Sequence, residues 1–211
     1  MRRYSGRLAI TAMATVLVLI GGGLWWWWPQ PSKRAVVPAS ACWGLVTSDD
    51  LRTLMHDGGK AVKAPFGSAD LSGRSVQAEC EVEWQPGEGV HAVEISVAQI
   101  KEDYYRATRN HETELAGTGQ NTVLGYGAGV EGWLQPFGSL LLLLRCDNGR
   151  PAQPGAVYRQ IYVAGGGDTG LPQQERAQLF ADIARRTAAE IVRQEGCPDV
   201  RIAERAPAVA G

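Results

Sequence analysis

The longest apolar stretch of this chain comes first. Leu8 to Trp28 contains 21 uncharged, mostly apolar residues, and a helix of that length spans about 30 Å, the thickness of the hydrocarbon core of a bilayer. The stretch ends in four consecutive tryptophans, whose rings are apolar with one polar N–H and therefore suit the headgroup level. The pattern predicts a transmembrane helix over residues 8–28, with these side chains at the membrane interface: Trp25, Trp26, Trp27 and Trp28.

Charge gives this helix a direction. Arg2, Arg3 and Arg7 precede the apolar stretch, and no acidic residue occurs before Asp49. Because basic residues stay on the cytoplasmic side, we expect residues 1–7 in the cytoplasm and the C-terminal part outside, as a single-pass protein of the cell membrane. A cleaved signal peptide, or lipidation at Cys42, remain alternatives. A retained anchor is favoured because a signal peptide has only about 7–15 apolar residues.

The remaining chain divides into three segments. Residues 29–41 contain three prolines and two basic residues, which predicts a short, partly extended linker. Residues 42–200 are expected to form one extracytoplasmic domain, since about 160 residues suffice for a single core. The alanine-rich residues 201–211 are expected to form a disordered tail.

Alternating apolar and polar residues predict the strands of this domain. From Ser75 to Trp84, every second residue is apolar and the others are polar, and Val93, Ile95 and Val97 continue the same alternation after a Pro86-Gly87 turn. The two runs predict an antiparallel hairpin with one buried face. Three further strands are predicted over residues 130–134, 140–146 and 157–164. The five leucines at 140–144 indicate a central strand that is covered on both faces.

Three helices complete the pattern. Thr47 is typical of an N-cap, with Asp50 in the position of a capping-box partner, and this helix is expected to end by Gly58. A second helix is predicted over residues 100–115, and a third from Pro172 to Glu195, where Gly196 stops it. The order α-β-β-α-β-β-β-α predicts an α+β fold, with a mainly antiparallel sheet and the helices packed on one face.

Charge and cysteine content restrict the function. The first 34 residues hold five basic residues, which leaves 16 Lys and Arg against 22 Asp and Glu, and an acidic domain argues against nucleic-acid binding. Four cysteines without a C-x-x-C pair predict two disulfides in an oxidising compartment rather than a zinc site. The sequence permits three pairings. We favour the one that joins neighbours along the chain, Cys42–Cys80 and Cys146–Cys197.

No catalytic, cofactor or metal site is predicted. The histidines His56, His91 and His111 lie far apart, and no G-x-S-x-G segment occurs. A glycine-rich run at 165–170 lacks the lysine of a P-loop, so we interpret it as a helix-entry loop. Four glutamates of the hairpin could bind a cation through their oxygens, but a solvated polar face is the simpler interpretation: Glu79, Glu81, Glu83 and Glu94.

Three short segments resemble a known group of proteins. Cys42–Leu51 (CWGLVTSDDL) is similar to the opening C-x-L-L-T-x-x-E-L of small secreted or lipid-anchored actinobacterial domains of unknown function. Cys80–Trp84 resembles their C-x-W strand, and Val123–Val130 resembles their G-L-G-x-x-A segment. The extracellular sensor domains of mycobacterial receptor kinases share this general layout. The resemblance implies a cleft between helix and sheet that takes a ligand.

Two functions are therefore open. The first is a non-catalytic, sensor-like module that binds an envelope ligand or a membrane protein partner in the helix–sheet cleft. The second is a structural or accessory subunit of a larger membrane complex in the cell envelope. Aromatic residues beyond the needs of an aliphatic core favour binding, and the candidates are Tyr104, Tyr105, Trp133, Tyr158 and Tyr162.

Overall fold

The computed structural model describes residues 37–55, 62–63, 70–85, 91–147, 151–166 and 171–209. The predicted transmembrane helix at 8–28, its tryptophans Trp25–Trp28 and most of the linker lie outside these ranges. Among the described residues, no helix is long and apolar enough to cross a membrane.

Three helices form where the sequence predicts them. They are α1 (Ser48–Leu54), α2 (Glu102–Gly117) and α3 (Gln173–Glu195). The capping box of α1 is present, because the Asp50 amide donates to Thr47 Oγ1 at 3.2 Å and the Thr47 amide donates to Asp50 Oδ2 at 2.7 Å. Gly196 ends α3 in the left-handed region at φ 68°, a conformation that glycine adopts at little cost.

Seven strands form one antiparallel sheet in the order β1-β2-β3-β7-β6-β5-β4. After β3, α2 carries the chain to the opposite edge, and successive hairpins then return it until β7 pairs with β3. Strands β1 and β4 were not predicted, because β1 has only two residues and β4 lies in a glycine-rich stretch without alternation. The strands are β1 (Val62–Lys63), β2 (Gln77–Trp84), β3 (His91–Ile100), β4 (Thr122–Leu124), β5 (Val130–Leu134), β6 (Leu140–Arg145) and β7 (Tyr158–Gly166).

The helices cover both faces of the sheet, so the expectation of helices on one face is wrong for α2. Leu140, Leu142 and Leu144 pack in the main core, which also contains the apolar side chains of α1 and α3. Leu141 and Leu143 point the other way and form a second cluster, against which Tyr105 of α2 packs. Since successive side chains of a strand alternate between faces, five buried leucines require cover on both sides.

The C-terminal segment also differs from the expected disordered tail over residues 201–209. Arg201–Ile202 pairs with Gly127–Ala128 as a short antiparallel ribbon. The chain then returns along α3, where Gln178 Nε2 donates to Pro207 O at 3.2 Å and the Val209 amide donates to Gln178 Oε1 at 2.9 Å. The side chain of Val209 is buried. These hydrogen bonds to its backbone hold the segment in place, and an alanine-rich composition gives no sign of them.

One ion pair lies fully inside the main core. Arg159 of β7 and Glu195 at the end of α3 are 1% and 2% exposed, and Arg159 Nε donates to Glu195 Oε1 at 2.9 Å. Arg159 Nη1 also donates to the carbonyl oxygens of Ala156 and Tyr158. A buried charge is tolerated only when it is paired and its donors are satisfied, and this pair meets both conditions.

Substitutions at two adjacent glycines of β7 can show how tightly α3 packs on the sheet. A Cβ at Gly165 would lie 2.6 Å from the ring of Phe180 and 3.2 Å from the carbonyl oxygen of Ala92, whereas a Cβ at Gly166 meets nothing within 4 Å. Overpacking a dense core costs about 1–3 kcal/mol. We expect Gly165→Ala to lower the free energy of unfolding by that amount in urea denaturation. The control Gly166→Ala should leave it unchanged or slightly raised, and equal effects of the two substitutions would contradict this packing.

Candidate functional site

Two disulfides join distant parts of the domain. Cys42 is bonded to Cys80, and Cys146 to Cys197, with Cα–Cα distances of 5.4 Å and 4.4 Å. The pairing favoured from the sequence is therefore confirmed. The second bond links the end of β6 to the residue that follows Gly196, and so places the segment after α3 beside the end of the sheet.

A pocket opens at that end of the sheet, where β5 begins, β6 ends and β7 begins. Its volume is about 350 Å³, within the range of about 300–1,000 Å³ that is usual for small-molecule sites. We call it the tyrosine pocket, and its lining consists of Tyr105, Gly129, Val130, Glu131, Leu143, Leu144, Arg145, Tyr158, Asp199 and Val200.

Two tyrosines form the aromatic part of this lining. Tyr105 of α2 stacks on Tyr158 of β7, with ring centroids 4.0 Å apart and planes inclined by 8°. Tyr158 is buried and Tyr105 is half-buried. The stack places α2 over the first residue of β7, and the two rings form one wall of the pocket.

Glu131 carries the best-defined charge in the lining. Arg109 Nε donates to Glu131 Oε1 at 2.8 Å and to Oε2 at 2.9 Å, and the Tyr105 hydroxyl donates to Oε1 at 3.3 Å. Burial raises the pKa of Tyr105, and the negative charge of Glu131 raises it further. Tyr105 is thus a neutral donor at physiological pH, and the Glu131 carboxylate is already engaged by two groups of α2.

Tyr158 also has a carboxylate partner, which is Glu102 at the start of α2. Burial raises the pKa of Tyr158 to about 12, and a hydrogen bond to the Glu102 side chain raises it too. The same hydrogen bond lowers the pKa of Glu102, with a further contribution from Arg106. Both shifts have the direction expected when a neutral phenol donates to an ionised carboxylate.

Two charged side chains at the mouth, Arg145 and Asp199, have fewer partners than Glu131. The side chain of Arg145 is 54% exposed, and its Nη2 lies 3.0 Å from Asp147 Oδ2. Asp199 is exposed. The backbone of Asp199 passes so close to Gly129, at φ 73°, that a Cβ there would lie 2.6 Å from the Asp199 carbonyl oxygen. Only glycine permits this approach, which positions the Asp199 segment at the pocket.

The structure brings two of the five predicted aromatic residues together. Tyr105 and Tyr158 line the pocket, whereas Trp133 is buried in the second cluster and Tyr162 packs partly against that cluster. Tyr104 points away, with 54% of its surface exposed. The aromatic excess therefore serves both the site and the core beneath α2.

The other candidate residues lie apart from the pocket. His91 is buried beside Trp84, with ring centroids 5.8 Å apart, and His111 is exposed on α2. His56 and Gly167–Gly170 lie outside the described residues. Among the glutamates, Glu79 and Glu94 are exposed, Glu81 and Glu83 are half-buried, and Glu81 is the cross-strand neighbour of Glu94. In the part of the chain that the structure describes, no group of three or more His, Cys, Asp or Glu could hold a metal ion.

Sequence reasoning missed the charged residues of the pocket. Glu131 and Arg145 stand at strand ends, where polar residues are ordinary, and Asp199 reaches the site only through the Cys146–Cys197 bond and the ribbon that follows it. A signal in the sequence was Gly129, since a glycine beside a strand often marks a close backbone approach.

Comparison of the chain with protein-family models, with curated proteins and with solved structures found no match.

Burial of Tyr158, together with its hydrogen bond to Glu102, makes stability depend on pH. The phenol titrates near its ordinary pKa of 10.0 in the unfolded chain and at about 12 in the folded one, so its contribution is complete below pH 10 and is lost as the pH rises through 12. We expect the free energy of unfolding, measured in urea, to fall over this window. Tyr158→Phe should abolish this part of the fall. In Glu102→Ala, burial alone remains, and the Tyr158 pKa measured by NMR should move toward 10; an unchanged pKa would contradict the hydrogen bond.

Proposed function

We propose that this chain is a membrane-anchored, extracytoplasmic binding module without catalytic activity, and that the tyrosine pocket is its binding site. The observation that carries the proposal is the composition of that pocket. Leu143, Leu144, Val130 and Val200 supply apolar surface, and the paired tyrosines add aromatic area with polar tips. An apolar cavity with a few convergent polar groups is the usual form of a small-molecule site.

Several features support binding rather than catalysis. All four cysteines are held in disulfides, and His91 and His111 lie away from the pocket. Within the described part of the chain, neither a thiol nor an imidazole base therefore faces it. Both oxygens of the acidic side chain Glu131 already accept hydrogen bonds from Arg109. The polar groups of the pocket can therefore hold a ligand, and no nucleophile–base pair lies among them.

The location rests on the sequence and on the disulfides. Two disulfides fit a domain that folds in an oxidising compartment, and the apolar stretch at 8–28 would hold that domain at the outer surface of the membrane. The resemblance to actinobacterial envelope domains and to sensor domains of receptor kinases points to the same setting.

Adjacent tyrosines of α2 provide a matched test of the site. We expect the purified full chain to be stabilised in a thermal-shift screen by a member of a panel of envelope lipids, glycans and peptides. Tyr105→Ala, which removes one ring of the pocket, should weaken that binding at least tenfold, while Tyr104→Ala should leave it unchanged because Tyr104 points to solvent. Binding that survives Tyr105→Ala would place the site elsewhere, and reproducible turnover of a hydrolase substrate would overturn the non-catalytic assignment.

One exposed aromatic residue favours the second function, an accessory subunit of an envelope complex. Phe137, in the 3-10 turn Pro136–Gly138, is 86% exposed and has a left-handed backbone at φ 68°. The turn is held by a hydrogen bond from the Gln135 amide to Ser139 O at 2.8 Å, and Arg176 Nη2 donates to Phe137 O at 3.4 Å. A rigid exposed aromatic ring is a typical anchor for a protein partner.

Site-specific photocrosslinking in the native membrane tests this alternative. If the chain is a subunit, a photoreactive residue at position 137 should yield one discrete crosslinked protein, because a fixed interface presents the same neighbour each time. The control is position 76, where Val76 is 49% exposed immediately before β2. Equal labelling at both positions, or none at position 137, would exclude Phe137 as an interface anchor.

A further inference from the structure

The charged groups of the tyrosine pocket differ in how much of their hydrogen-bonding capacity is used. Glu131 accepts from Arg109 through both oxygens and from Tyr105 through one. A ligand that paired with Glu131 would have to displace the guanidinium of Arg109. Glu131 therefore closes one side of the pocket and is not its recognition group.

Arg145 is the available cation. It forms one ion pair, from Nη2 to Asp147 Oδ2 at 3.0 Å, and its charge also acts on the Glu102 carboxylate. Its remaining N–H groups make no hydrogen bond to any residue that the structure describes. Guanidinium is a planar fork of five donors and binds carboxylates or phosphates with two parallel hydrogen bonds. Because 54% of this side chain is exposed, an anionic group can reach it from the mouth of the pocket.

Asp199 is the available anion. Its carboxylate is exposed and forms no ion pair within the described part of the chain, although its backbone is fixed against Gly129. Val130, Leu144 and Val200 line the same pocket as Asp199 and Arg145 and form its apolar part. The pocket thus presents one unpaired anion, one partly paired cation and an apolar surface in a single lining.

We propose that the pocket binds small zwitterions with an apolar body, the class to which short apolar peptides belong. The inference rests on the proposed function, since it specifies the ligand of the same pocket. The anionic end of the ligand pairs with Arg145, its cationic end pairs with Asp199, and its apolar part covers the floor. A ligand with one charge would use only one of these two groups and would lose the second charge-assisted hydrogen bond.

Four forms of one dipeptide separate the contributions. The probe is leucyl-leucine, compared with its N-acetyl form, its C-terminal amide and the form with both modifications, each titrated into the full chain and followed by NMR of the tyrosine rings. A charge-assisted hydrogen bond contributes a factor of about ten or more in affinity. We expect the unmodified dipeptide to bind at least tenfold more tightly than any modified form.

Substitutions assign each end of the ligand. In Arg145→Gln, the dipeptide and its amide should bind equally, because the carboxylate partner is gone; in Asp199→Asn, the dipeptide and its N-acetyl form should bind equally. Arg193→Gln is the matched control, since Arg193 is an exposed arginine paired with a carboxylate on α3, and it should change nothing.

The outcomes distinguish this inference from the proposed function. If the doubly modified peptide binds as tightly as the unmodified one and shifts the Tyr105 and Tyr158 signals, the pocket is a binding site but charge recognition is wrong. If no form of the dipeptide binds while another member of the ligand panel does, the ligand class is wrong and the binding function stands. If neither the dipeptides nor the panel bind, both fail.

Discussion

Burial of β6 on both faces is the constraint on which the rest of the structure depends. Five consecutive leucines cannot be hidden by cover on one side only, because their side chains alternate between faces. The long helix α3 covers one set and α2 covers the other. To do so, α2 must cross the sheet between β3 and β4, and that crossing sends the chain to the far edge, from which it returns by hairpins to pair β7 with β3.

The tyrosine pocket lies where the cover that α2 provides for the sheet ends. The first turns of α2 reach the ends of β6 and β7, and a gap remains there beside Val130 and the buried side chains of Leu143 and Leu144. Polar side chains at the strand ends and in the segment after α3 surround the gap, so apolar floor and charged mouth arise from the same geometry. Burying a charge is costly unless a partner is present, and the charged groups of the pocket differ in how far they are paired. Glu131 is fully engaged, whereas Arg145 and Asp199 keep capacity for another molecule.

Much of the fold could be predicted from the sequence, for identifiable reasons. The alternation from Gln77 to Trp84, the capping box at Thr47 and the stop at Gly196 are local signals, and each element formed close to its predicted bounds. The face on which α2 packs could not be predicted from its own polar sequence. It follows from the leucines of β6, which need cover on both faces of the sheet. The site was predicted only in part. Tyr105 and Tyr158 were candidates as aromatic residues, but Asp199 becomes a neighbour of Gly129 through a disulfide and a two-residue ribbon, which are long-range contacts.

The close approach at Gly129 has a consequence for how this site can diversify. The spacing between the two sides of the mouth is set by contact between the backbones of Gly129 and Asp199. The disulfide between Cys146 and Cys197 keeps the Asp199 segment in this position. No side chain can be added at Gly129 to narrow the opening without forcing the main chain apart. Selectivity can therefore evolve through substitutions at Arg145 and Asp199, which change the chemistry of the mouth while its aperture stays constant.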